Sequence, residues 1–359
     1  MLYGLTSLAV AGCARRTPPP ETRPTWTTEL DRELDRARDD GRVPGQHGLV
    51  VTRAGHRIYE RYTSGEDWRL GQNLGVVRFD AETLHDLRSV TKSVVGLLYG
   101  IALAEGKVPP PDAPLLAQFP EYADLARDDA RKRWTIAHAL TMTLGTEWDE
   151  LTLPYSDPKN SERMMDAAPD RHRYVLDRPI VAGPGARWIY NGGTTALLGA
   201  LIARGAGQPL EAFARRVLFD PLAITTQWSV DRRGIVRAAS GLRMTPRDLA
   251  KIGQLMIDRG AWQERQIVPA AWVERCMTPA IVIDARRYSY HWYVADFSVG
   301  SSLRVARFVG GAGYGGQRLY AFPDDALVVA ITAGNYTRRD QGMIASVLMR
   351  TIVLPHVLG

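Results

Sequence analysis

The stretch His85-Asp-Leu-Arg-Ser-Val-Thr-Lys-Ser-Val-Val-Gly-Leu-Leu-Tyr-Gly100 carries most of the information about fold and function. It combines an S-x-x-K element, Ser89 to Lys92, with the apolar run of a core helix. One helical turn places residues three apart on the same face, so the Lys92 amine can reach the Ser89 hydroxyl. A serine hydroxyl is a weak nucleophile at neutral pH and needs an adjacent base. The spacing therefore predicts a nucleophile and its base at the start of a buried helix.

A lysine can serve as this base when burial lowers its pKa, because desolvation disfavours the ammonium form. The apolar run after Lys92 would bury it, and the Ser89 backbone N–H at the helix start would offer one oxyanion donor. A second S-x-x-K, Ser156 to Lys159, is interrupted by Pro158 and has no apolar helix after it. We interpret that second element as a loop. The alternative for Ser89 and Lys92 is an ordinary capped helix with a lysine that extends to solvent.

A tyrosine and an asparagine precede another apolar helix, in Pro184-Gly-Ala-Arg-Trp-Ile-Tyr-Asn-Gly-Gly-Thr-Thr-Ala-Leu-Leu-Gly199. A phenol such as that of Tyr190, close to a cationic lysine, can pass a proton toward a leaving group. In isolation, Tyr190 packed at the helix start and Asn191 as its cap would explain the pattern equally well.

A glycine-rich segment, Gly310-Gly-Ala-Gly-Tyr-Gly-Gly-Gln317, precedes a strand-like run. Such glycine density lets backbone approach a ligand closely. The N–H of Tyr314, which follows Gly313, could then be a second oxyanion donor. The alternative is a flexible hairpin connection.

Composition narrows the class of protein. At 359 residues the chain has room for two domains, or for one domain with a large insertion. The hydrophobic fraction of 45% and the charged fraction of 23% are those of a globular protein, and they exclude a disordered, collagen-like or coiled-coil chain. The 45 basic residues exceed the 39 acidic ones by 6, but in mixed runs, so a nucleic-acid partner is not predicted.

Cofactors are not predicted either. The two cysteines, Cys13 and Cys276, are far apart in the chain, which excludes a disulfide framework and a cysteine-based zinc site. The 7 histidines form no metal-binding H-x-x-x-H or H-E-x-x-H pair. No apolar run approaches the roughly 18 residues that span a bilayer, which argues against a polytopic membrane protein.

The N-terminal segment predicts export. Residues 2–12 are mostly apolar and end in Val10-Ala11-Gly12-Cys13, and a proline-rich tether follows over 14–27. Small residues before a cysteine resemble a bacterial lipoprotein signal, in which residues 1–13 would target the chain and Cys13 would carry a lipid. We therefore expect an envelope protein with a membrane contact only through that lipid. The alternative is a miscalled start or a disordered leader on a cytoplasmic protein.

The remaining pattern predicts an α+β fold. An amphipathic helix over 28–40, capped by a threonine and closed by Gly41, precedes a β-hairpin over 48–53 and 56–62. The chain is then mostly helical to about 275, strand-like runs return over 304–309, 318–322 and 326–333, and a helix covers 341–354. We expect an antiparallel sheet flanked by helices and formed from both chain ends, 28–85 and 285–359. A mainly helical domain, 86–284, is inserted in it and carries the S-x-x-K and Tyr190.

The order of these motifs resembles that of the serine β-lactamase and penicillin-binding protein superfamily. Tyr190 follows the S-x-x-K by about 100 residues, and the glycine-rich strand edge follows about 120 further on. The sequence is most similar to the class C-related esterases and the 6-aminohexanoate-dimer hydrolases, and the resemblance covers 28–355. It also rests on the stretches Thr135-Ile-Ala-His-Ala-Leu-Thr-Met-Thr-Leu-Gly145 and Ala239-Ser-Gly-Leu-Arg-Met-Thr-Pro-Arg-Asp-Leu-Ala250.

The resemblance implies a site in the crevice between the sheet and the helical domain. It makes Ser89 the nucleophile, Lys92 the base and Tyr190 the proton shuttle, with the backbone N–H groups of Ser89 and Tyr314 as the oxyanion hole. Tyr155 is similar to a mobile-loop tyrosine that contacts the leaving-group nitrogen in the dimer hydrolases; its alternative is an exposed loop residue. The residues expected to bind substrate are Tyr155, Asn191, Gly311, Gly313 and Gly315.

Three departures from the superfamily pattern argue against efficient β-lactam hydrolysis. The usual Tyr-x-Asn is absent, because Asn191 follows Tyr190 directly and Gly192 occupies the asparagine position. The third motif begins without a lysine or histidine, so Arg318 or another arginine would have to bind a substrate carboxylate. The general-base glutamate motif of class A is not recognisable.

The sequence therefore predicts a serine hydrolase that cleaves small esters or amides through an acyl-enzyme, without a cofactor. One alternative keeps the chemistry and changes the substrate, giving a β-lactamase or a D-amino-acid peptidase of the cell wall. A second alternative is a non-catalytic lipoprotein that binds a wall fragment in the crevice. The oligomeric state is left open.

Overall fold

The computed structural model describes residues 24–283 and 286–359. The predicted signal, Cys13 and most of the predicted tether lie outside the described residues. The strands are β1 (Gln46–Arg53), β2 (His56–Tyr62), β3 (Ser64–Arg69), β4 (Gln72–Arg78), β5 (His85–Asp86), β6 (Thr226–Trp228), β7 (Leu242–Met244), β8 (Ala261–Trp262), β9 (Arg265–Gln266), β10 (Ile281–Ile283), β11 (Arg286–Ser289), β12 (Trp292–Ser298), β13 (Val305–Gly313), β14 (Gln317–Phe322) and β15 (Leu327–Ala333).

The α-helices are α1 (Thr25–Asp39), α2 (Val90–Ala104), α3 (Asp129–Lys132), α4 (Ile136–Leu140), α5 (Ser161–Ala167), α6 (Arg171–Leu176), α7 (Gly192–Ala206), α8 (Leu210–Ala214), α9 (Pro246–Ile257), α10 (Ala270–Met277), α11 (Gln341–Val347) and α12 (Leu354–Leu358). Short 3₁₀ segments lie at Leu116–Gln118, Pro120–Arg127 and Pro323–Asp325, and π-helical segments follow α8 at Arg215–Phe219 and α11 at Leu348–Val353.

An eight-stranded antiparallel sheet forms the centre of the molecule, in the order β10-β11-β12-β13-β14-β15-β1-β2. The two ends of the chain meet where β1 pairs with β15, with Leu49 opposite Ile331 and Val51 opposite Val329. Every residue of β15 is buried, which is typical of a strand covered on both faces. The predicted α+β class, with one sheet formed from both chain ends, is confirmed.

Helices cover both faces of the sheet because the side chains of β1 alternate between two apolar cores. Leu49 and Val51 belong to a core shared with α1 and the C-terminal helices, where Leu34 and Ile352 are buried. Val50 points to the opposite face and joins the larger core, which includes α2, α7 and α9. This larger core also buries Cys276, a free thiol. The helix that carries the S-x-x-K is thus held between the sheet and the helical part of the chain.

The helices at the two ends are longer than predicted. Helix α1 begins at Thr25 after Pro24, and the Thr27 hydroxyl donates to the Pro24 carbonyl, so no threonine precedes the helix as a cap. The C-terminal helical stretch runs from residue 341 to 358, and among the described residues it alone is long and apolar enough to cross a membrane. Half of it is buried, and Leu348 and Ile352 pack in the core beneath the sheet. It is therefore a core helix.

Several strands were not predicted from the sequence, among them the small sheets of β5 to β7 and of β8 and β9. The hairpin of β3 and β4 is largely exposed and lacks a clear alternation of apolar residues. Strands β10 to β12 extend the sheet, and β10 lies before the predicted domain boundary at 284/285. The predicted strand over 304–309 continues to Gly313, so much of the glycine-rich segment is sheet and only residues 314–316 form the turn. The alternative of a flexible connection is wrong for 310–313.

Candidate active site

Ser89 and Lys92 lie at the start of α2, one turn apart. Ser89 precedes the first helical residue, Val90, and Lys92 Nζ is 3.0 Å from Ser89 Oγ. The lysine is 2% exposed, and its amine also lies 3.1 Å from the Ala239 carbonyl oxygen. The side chain therefore does not extend to solvent, which is the alternative that the sequence left open. A serine hydroxyl and a buried amine are therefore in direct hydrogen-bond contact.

The turn before the helix orients the serine. Arg88 adopts the left-handed conformation with φ of +48°, which is unfavourable for a residue with a Cβ. Its N–H donates to Asp86 Oδ1 at 3.2 Å, and its guanidinium lies 5.5 Å from the ring centres of Tyr155 and Tyr314. Strained backbone of this kind persists only where the surroundings hold it, and it is concentrated at functional sites.

Tyr190 is the third residue of this group. Its hydroxyl is hydrogen-bonded to Ser89, and the Lys92 amine lies 4.8 Å from the centre of its ring. Burial, reinforced by the charge of Glu150, raises the pKa of Tyr190 well above its ordinary value. The phenol is therefore neutral near pH 7, so it can relay a proton but is not a phenolate base.

Sequence analysis missed an acidic residue in this site, Glu150. Its Oε1 lies 3.3 Å from Lys92 Nζ and accepts the Tyr155 hydroxyl at 3.2 Å. Its Oε2 accepts the indole N–H of Trp148 at 2.9 Å and the backbone N–H of Gly192 at 2.7 Å. Burial raises the pKa of Glu150 to about 7. The contact with Lys92 spans 58 residues of sequence, so no local motif could reveal it.

The glycine at the position of the usual asparagine explains how Glu150 is accommodated. A Cβ added at Gly192 would lie 3.0 Å from Glu150 Oε2, closer than most real contacts of this kind. An asparagine there would displace the carboxylate. The departure from Tyr-x-Asn was thus the one signal in the sequence that a different group contacts the lysine.

A cavity of about 840 Å³ opens above Ser89. Of the residues predicted to catalyse or to bind substrate, its lining includes Ser89, Tyr155, Tyr190, Gly313 and Tyr314. Tyr314 is the first residue after β13, and its ring lies 5.0 Å from that of Tyr155. The strand edge, the Tyr155 loop and the head of α2 therefore meet at one cavity.

Three residues that were predicted to bind substrate lie outside the lining of this cavity. The Asn191 side chain caps α7, where its Oδ1 accepts the Thr194 N–H at 3.3 Å. Gly311 faces α2, where an added Cβ would lie 2.9 Å from Ser93 Oγ. Gly315 has φ of +88° and packs against the ring of Tyr336. None of the three belongs to the cavity lining, because each is committed to the packing of the protein itself.

Tyr155 and the second S-x-x-K occupy the same loop. Tyr155 is partly buried and hydrogen-bonded to Glu150, so the alternative of a simply exposed loop tyrosine is wrong. Ser156 and Lys159 lie in turns, and Lys159 is exposed. The prediction that this second element is a loop is confirmed.

Arginines rather than a lysine border the cavity. Arg318 lies in its lining, but its Nη1 donates to the carbonyls of Gly313 at 3.0 Å and Gln317 at 2.7 Å. Arg338 and Arg339 also line it, and both are exposed. Over the described ranges, no group of three or more His, Cys, Asp and Glu side chains could hold a metal ion.

An antiparallel sheet formed from both chain ends, with a mainly helical part beside it and a serine and a buried lysine at the start of α2, is typical of one class of fold. This class is the β-lactamase/transpeptidase-like fold. The chain belongs to the Beta-lactamase family, since the sequence model of that family matches residues 30–347.

Two relatives and one solved structure illustrate the relationship. The chain is 23% identical over 373 residues to 6-aminohexanoate-dimer hydrolase of Paenarthrobacter ureafaciens. This match covers 95% of this chain and 87% of that protein. It is 28% identical over 206 residues to esterase EstB of Burkholderia gladioli, covering 54% of this chain but only 49% of the esterase. The structure of a putative 6-aminohexanoate-dimer hydrolase from Bacillus anthracis matches with a TM-score of 0.69 at 19% identity, covering 87% of this chain and 79% of that one. At this identity the structural match shows the shared fold.

Proposed function

We propose that the protein is a serine hydrolase that cleaves small esters or amides through an acyl-enzyme at Ser89. The observation that carries the proposal is the 3.0 Å contact between Lys92 Nζ and Ser89 Oγ, in which Lys92 is buried and Ser89 lines a cavity. The names of two relatives, an esterase and a hydrolase of an amide-linked dimer, support ester and amide substrates.

In the first step Ser89 Oγ attacks the substrate carbonyl carbon while its proton moves to the Lys92 amine. The negative charge that develops on the carbonyl oxygen is stabilised by the backbone N–H groups of Ser89 and Tyr314. When the intermediate collapses, the bond to the leaving group breaks and Tyr190 donates a proton to the leaving atom, receiving one from Lys92 in return. Water then hydrolyses the acyl-enzyme and regenerates the Ser89 hydroxyl.

Glu150 makes the lysine available as a base. An ammonium at Lys92 cannot accept the serine proton, and the buried pair of Lys92 and Glu150 holds an ionic contact at 3.3 Å. Transfer of one proton from the ammonium to the carboxylate leaves a neutral amine and a neutral acid. Because burial raises the pKa of Glu150 to about 7, this transfer is more accessible than it would be to an ordinary carboxylate.

The deciding experiment is to label the protein with a fluorophosphonate and to measure hydrolysis of p-nitrophenyl esters. Wild-type protein should react, and mass spectrometry should place the adduct on Ser89. Ser89→Ala should lose labelling and turnover while it keeps the wild-type melting temperature. Ser301→Ala, at an exposed serine far along the chain, is the matched control and should behave as wild type. Ester hydrolysis retained by Ser89→Ala would refute the assignment.

The alternative substrate class, β-lactams or D-amino-acid peptides, keeps the same nucleophile. It is tested with nitrocefin and with a fluorescent penicillin on the same two variants. Because Arg318 is held by two backbone carbonyls, we expect weaker turnover of these compounds than of simple esters.

A further inference from the structure

A second cavity lies directly beside the catalytic one. It measures about 660 Å³, and Tyr155 lines both cavities. Ser89 lines the first cavity and its chain neighbour Arg88 lines the second. Tyr155 and the bonded neighbours Arg88 and Ser89 therefore lie between the two cavities. A substrate chain that passes Tyr155 from Ser89 would enter the second cavity.

The lining of this second cavity is strongly charged and predominantly basic. Five arginines and three carboxylates line it, which leaves an excess of two positive charges if all are ionised. The arginines are Arg88, Arg163, Arg232, Arg233 and Arg237, and the carboxylates are Glu162, Asp166 and Asp231.

Groups of the protein already bind all three carboxylates. Asp166 accepts hydrogen bonds from Arg171, at 2.5 Å, and from Arg237. Asp231 accepts the backbone N–H groups of Arg233 at 2.8 Å and Ile235 at 2.9 Å. Glu162 accepts the hydroxyl of Ser240 at 2.7 Å through Oε1, whereas its buried Oε2 has no hydrogen-bond partner among the described residues. Asp166 and Asp231 are therefore poorly placed to bind a cationic ligand.

Several of the arginines, by contrast, have no carboxylate partner. Arg163 donates to the Ser156 carbonyl at 2.9 Å, and Arg233 donates to the Ala168 carbonyl at 2.7 Å and to that of Pro169. Arg232 is exposed, and within the described part of the chain it forms no hydrogen bond or ion pair. A carbonyl partner orients a guanidinium without neutralising its charge.

On the inner wall of the second cavity, the charge of Arg88 is also incompletely neutralised. The nearest carboxylate oxygen to the Arg88 guanidinium is that of Asp86, at 3.8 Å, beyond hydrogen-bond distance. Arg237 forms an ion pair with Asp166; burial lowers its pKa, the charge of Glu162 raises it, and the charge of Arg88 lowers it. An anion in the cavity would be attracted to both guanidinium groups. Arginine also binds carboxylates through two parallel hydrogen bonds, which adds geometric selectivity.

We propose that the second cavity is a subsite for an anionic end of the substrate, a carboxylate a few bonds from the scissile ester or amide. The ester or amide carbon lies at Ser89 in the first cavity, and the chain of the substrate passes Tyr155. The proposal rests on the proposed function, because it assigns a substrate class to the same nucleophile. This subsite differs from the carboxylate-binding role that the sequence suggested for Arg318, because Arg318 lines the first cavity.

The first test compares substrates that differ only in charge. On the acyl side, the p-nitrophenyl monoester of glutaric acid is compared with p-nitrophenyl valerate. On the leaving-group side, the acetate ester of 3-(4-hydroxyphenyl)propionate is compared with that of 4-propylphenol. We expect kcat/KM for the carboxylated member of at least one pair to be about 10-fold higher, and this preference should fall as salt is added. Equal or lower values in both pairs would overturn the proposal.

The second test assigns the preference to the cavity. Arg232→Glu reverses a charge on an exposed side chain and should abolish the preference, because it should lower kcat/KM for the carboxylated ester by a larger factor than for the neutral ester. Arg163→Ala should reduce it. Arg36→Ala, which removes an exposed arginine on α1, is the control and should change neither rate. If Arg339→Ala, in the first cavity, abolishes the preference and Arg232→Glu does not, the proposal is wrong.

A binding measurement tests this subsite independently of the proposed hydrolysis. Glutarate is titrated calorimetrically into Ser89→Ala protein and into the Ser89→Ala, Arg232→Glu double variant. Tighter binding to the first, by about 10-fold, supports the subsite even if no ester is hydrolysed by the wild type. Equal affinity for the two proteins, or no measurable binding to either, contradicts it.

Discussion

The Gly192 backbone N–H donates to Glu150 Oε2 at 2.7 Å, and Gly192 has no side chain that would keep the two groups apart. The first residue of α7 therefore holds the carboxylate that contacts Lys92. In the superfamily pattern an asparagine would stand at this position, and its Cβ would lie 3.0 Å from this carboxylate.

Replacing this glycine should disturb the carboxylate. In Gly192→Ala the added Cβ would lie 3.0 Å from Glu150 Oε2, so the carboxylate must shift by a few tenths of an ångström. We expect kcat to fall by about 10-fold and the free energy of unfolding to fall by about 1 kcal/mol. Gly183→Ala is the control, because an added Cβ there meets no atom within 4 Å. Equal kinetics for the two variants would show that the position of Glu150 is unimportant.

The pH–rate profile should report Glu150. Its carboxylate must be free to accept the Lys92 proton, and burial raises its pKa to about 7, so kcat/KM should fall as the pH decreases below about 7. The other titratable groups near this carboxylate are Lys92, Tyr155, Glu162, Tyr190 and Tyr288.

Glu150→Gln removes this titration and the acceptor for the lysine proton. The variant should lose about 100-fold in kcat, and the acid limb near pH 7 should disappear from its profile. Trp148→Phe is a milder comparison, because it removes only the indole N–H that favours the ionised carboxylate, and it should move the limb to higher pH. An unchanged acid limb in Glu150→Gln would assign the titration to another group.

Buried histidines should make the fold sensitive to acid. His47 Nδ1 lies 2.9 Å from His85 Nε2, and burial lowers the pKa of His47 to about 4 and that of His85 to about 3. His172 and His291 are lowered in the same way. An unfolded histidine titrates near 6.5, so below that pH the unfolded state binds more protons than the folded state. Stability is therefore complete above about pH 6.5 and is lost as the pH falls toward 4 and 3.

Denaturant unfolding at pH 7.5 and pH 5 measures this effect. Each such histidine should account for about 2 kcal/mol of the stability lost between the two conditions. His47→Gln should therefore show a pH dependence smaller by about that amount, whatever its stability at pH 7.5. If wild type and variant lose the same free energy, His47 does not titrate as its burial indicates.

Lipid attachment at Cys13 is a separate prediction. A chain labelled with a fatty-acid analogue in a bacterial host should carry the label and sediment with membranes, because acyl chains contribute about 0.8 kcal/mol of membrane affinity per buried methylene. Cys13→Ser should lose the label and become soluble. Label that persists in Cys13→Ser, or a wild-type chain that is never labelled, would contradict the prediction.

Local pattern alone determined much of this protein. The 3-residue spacing of Ser89 and Lys92 before an apolar run already requires that the two side chains share a helix face. The hairpin pattern over 48–53 and 56–62 and the apolar run over 326–333 likewise favour strands, and their places near the two ends of the chain favour one sheet closed by both. The sequence also offered Asn191, which precedes a glycine pair, as a helix cap, and this alternative is correct. It could be recognised because capping is a local hydrogen bond.

Only the tertiary structure decided which groups surround Lys92. Glu150 reaches the amine from 58 residues away, and Arg88 and Ser89, adjacent in the chain, line different cavities. Contacts of this kind depend on how loops pack over a helix, and packing depends on the shapes of many side chains at once rather than on any periodicity. The strained turn at Arg88 is set in the same way, by the rings and the carboxylate around it, so a reading of neighbouring residues could not have located it.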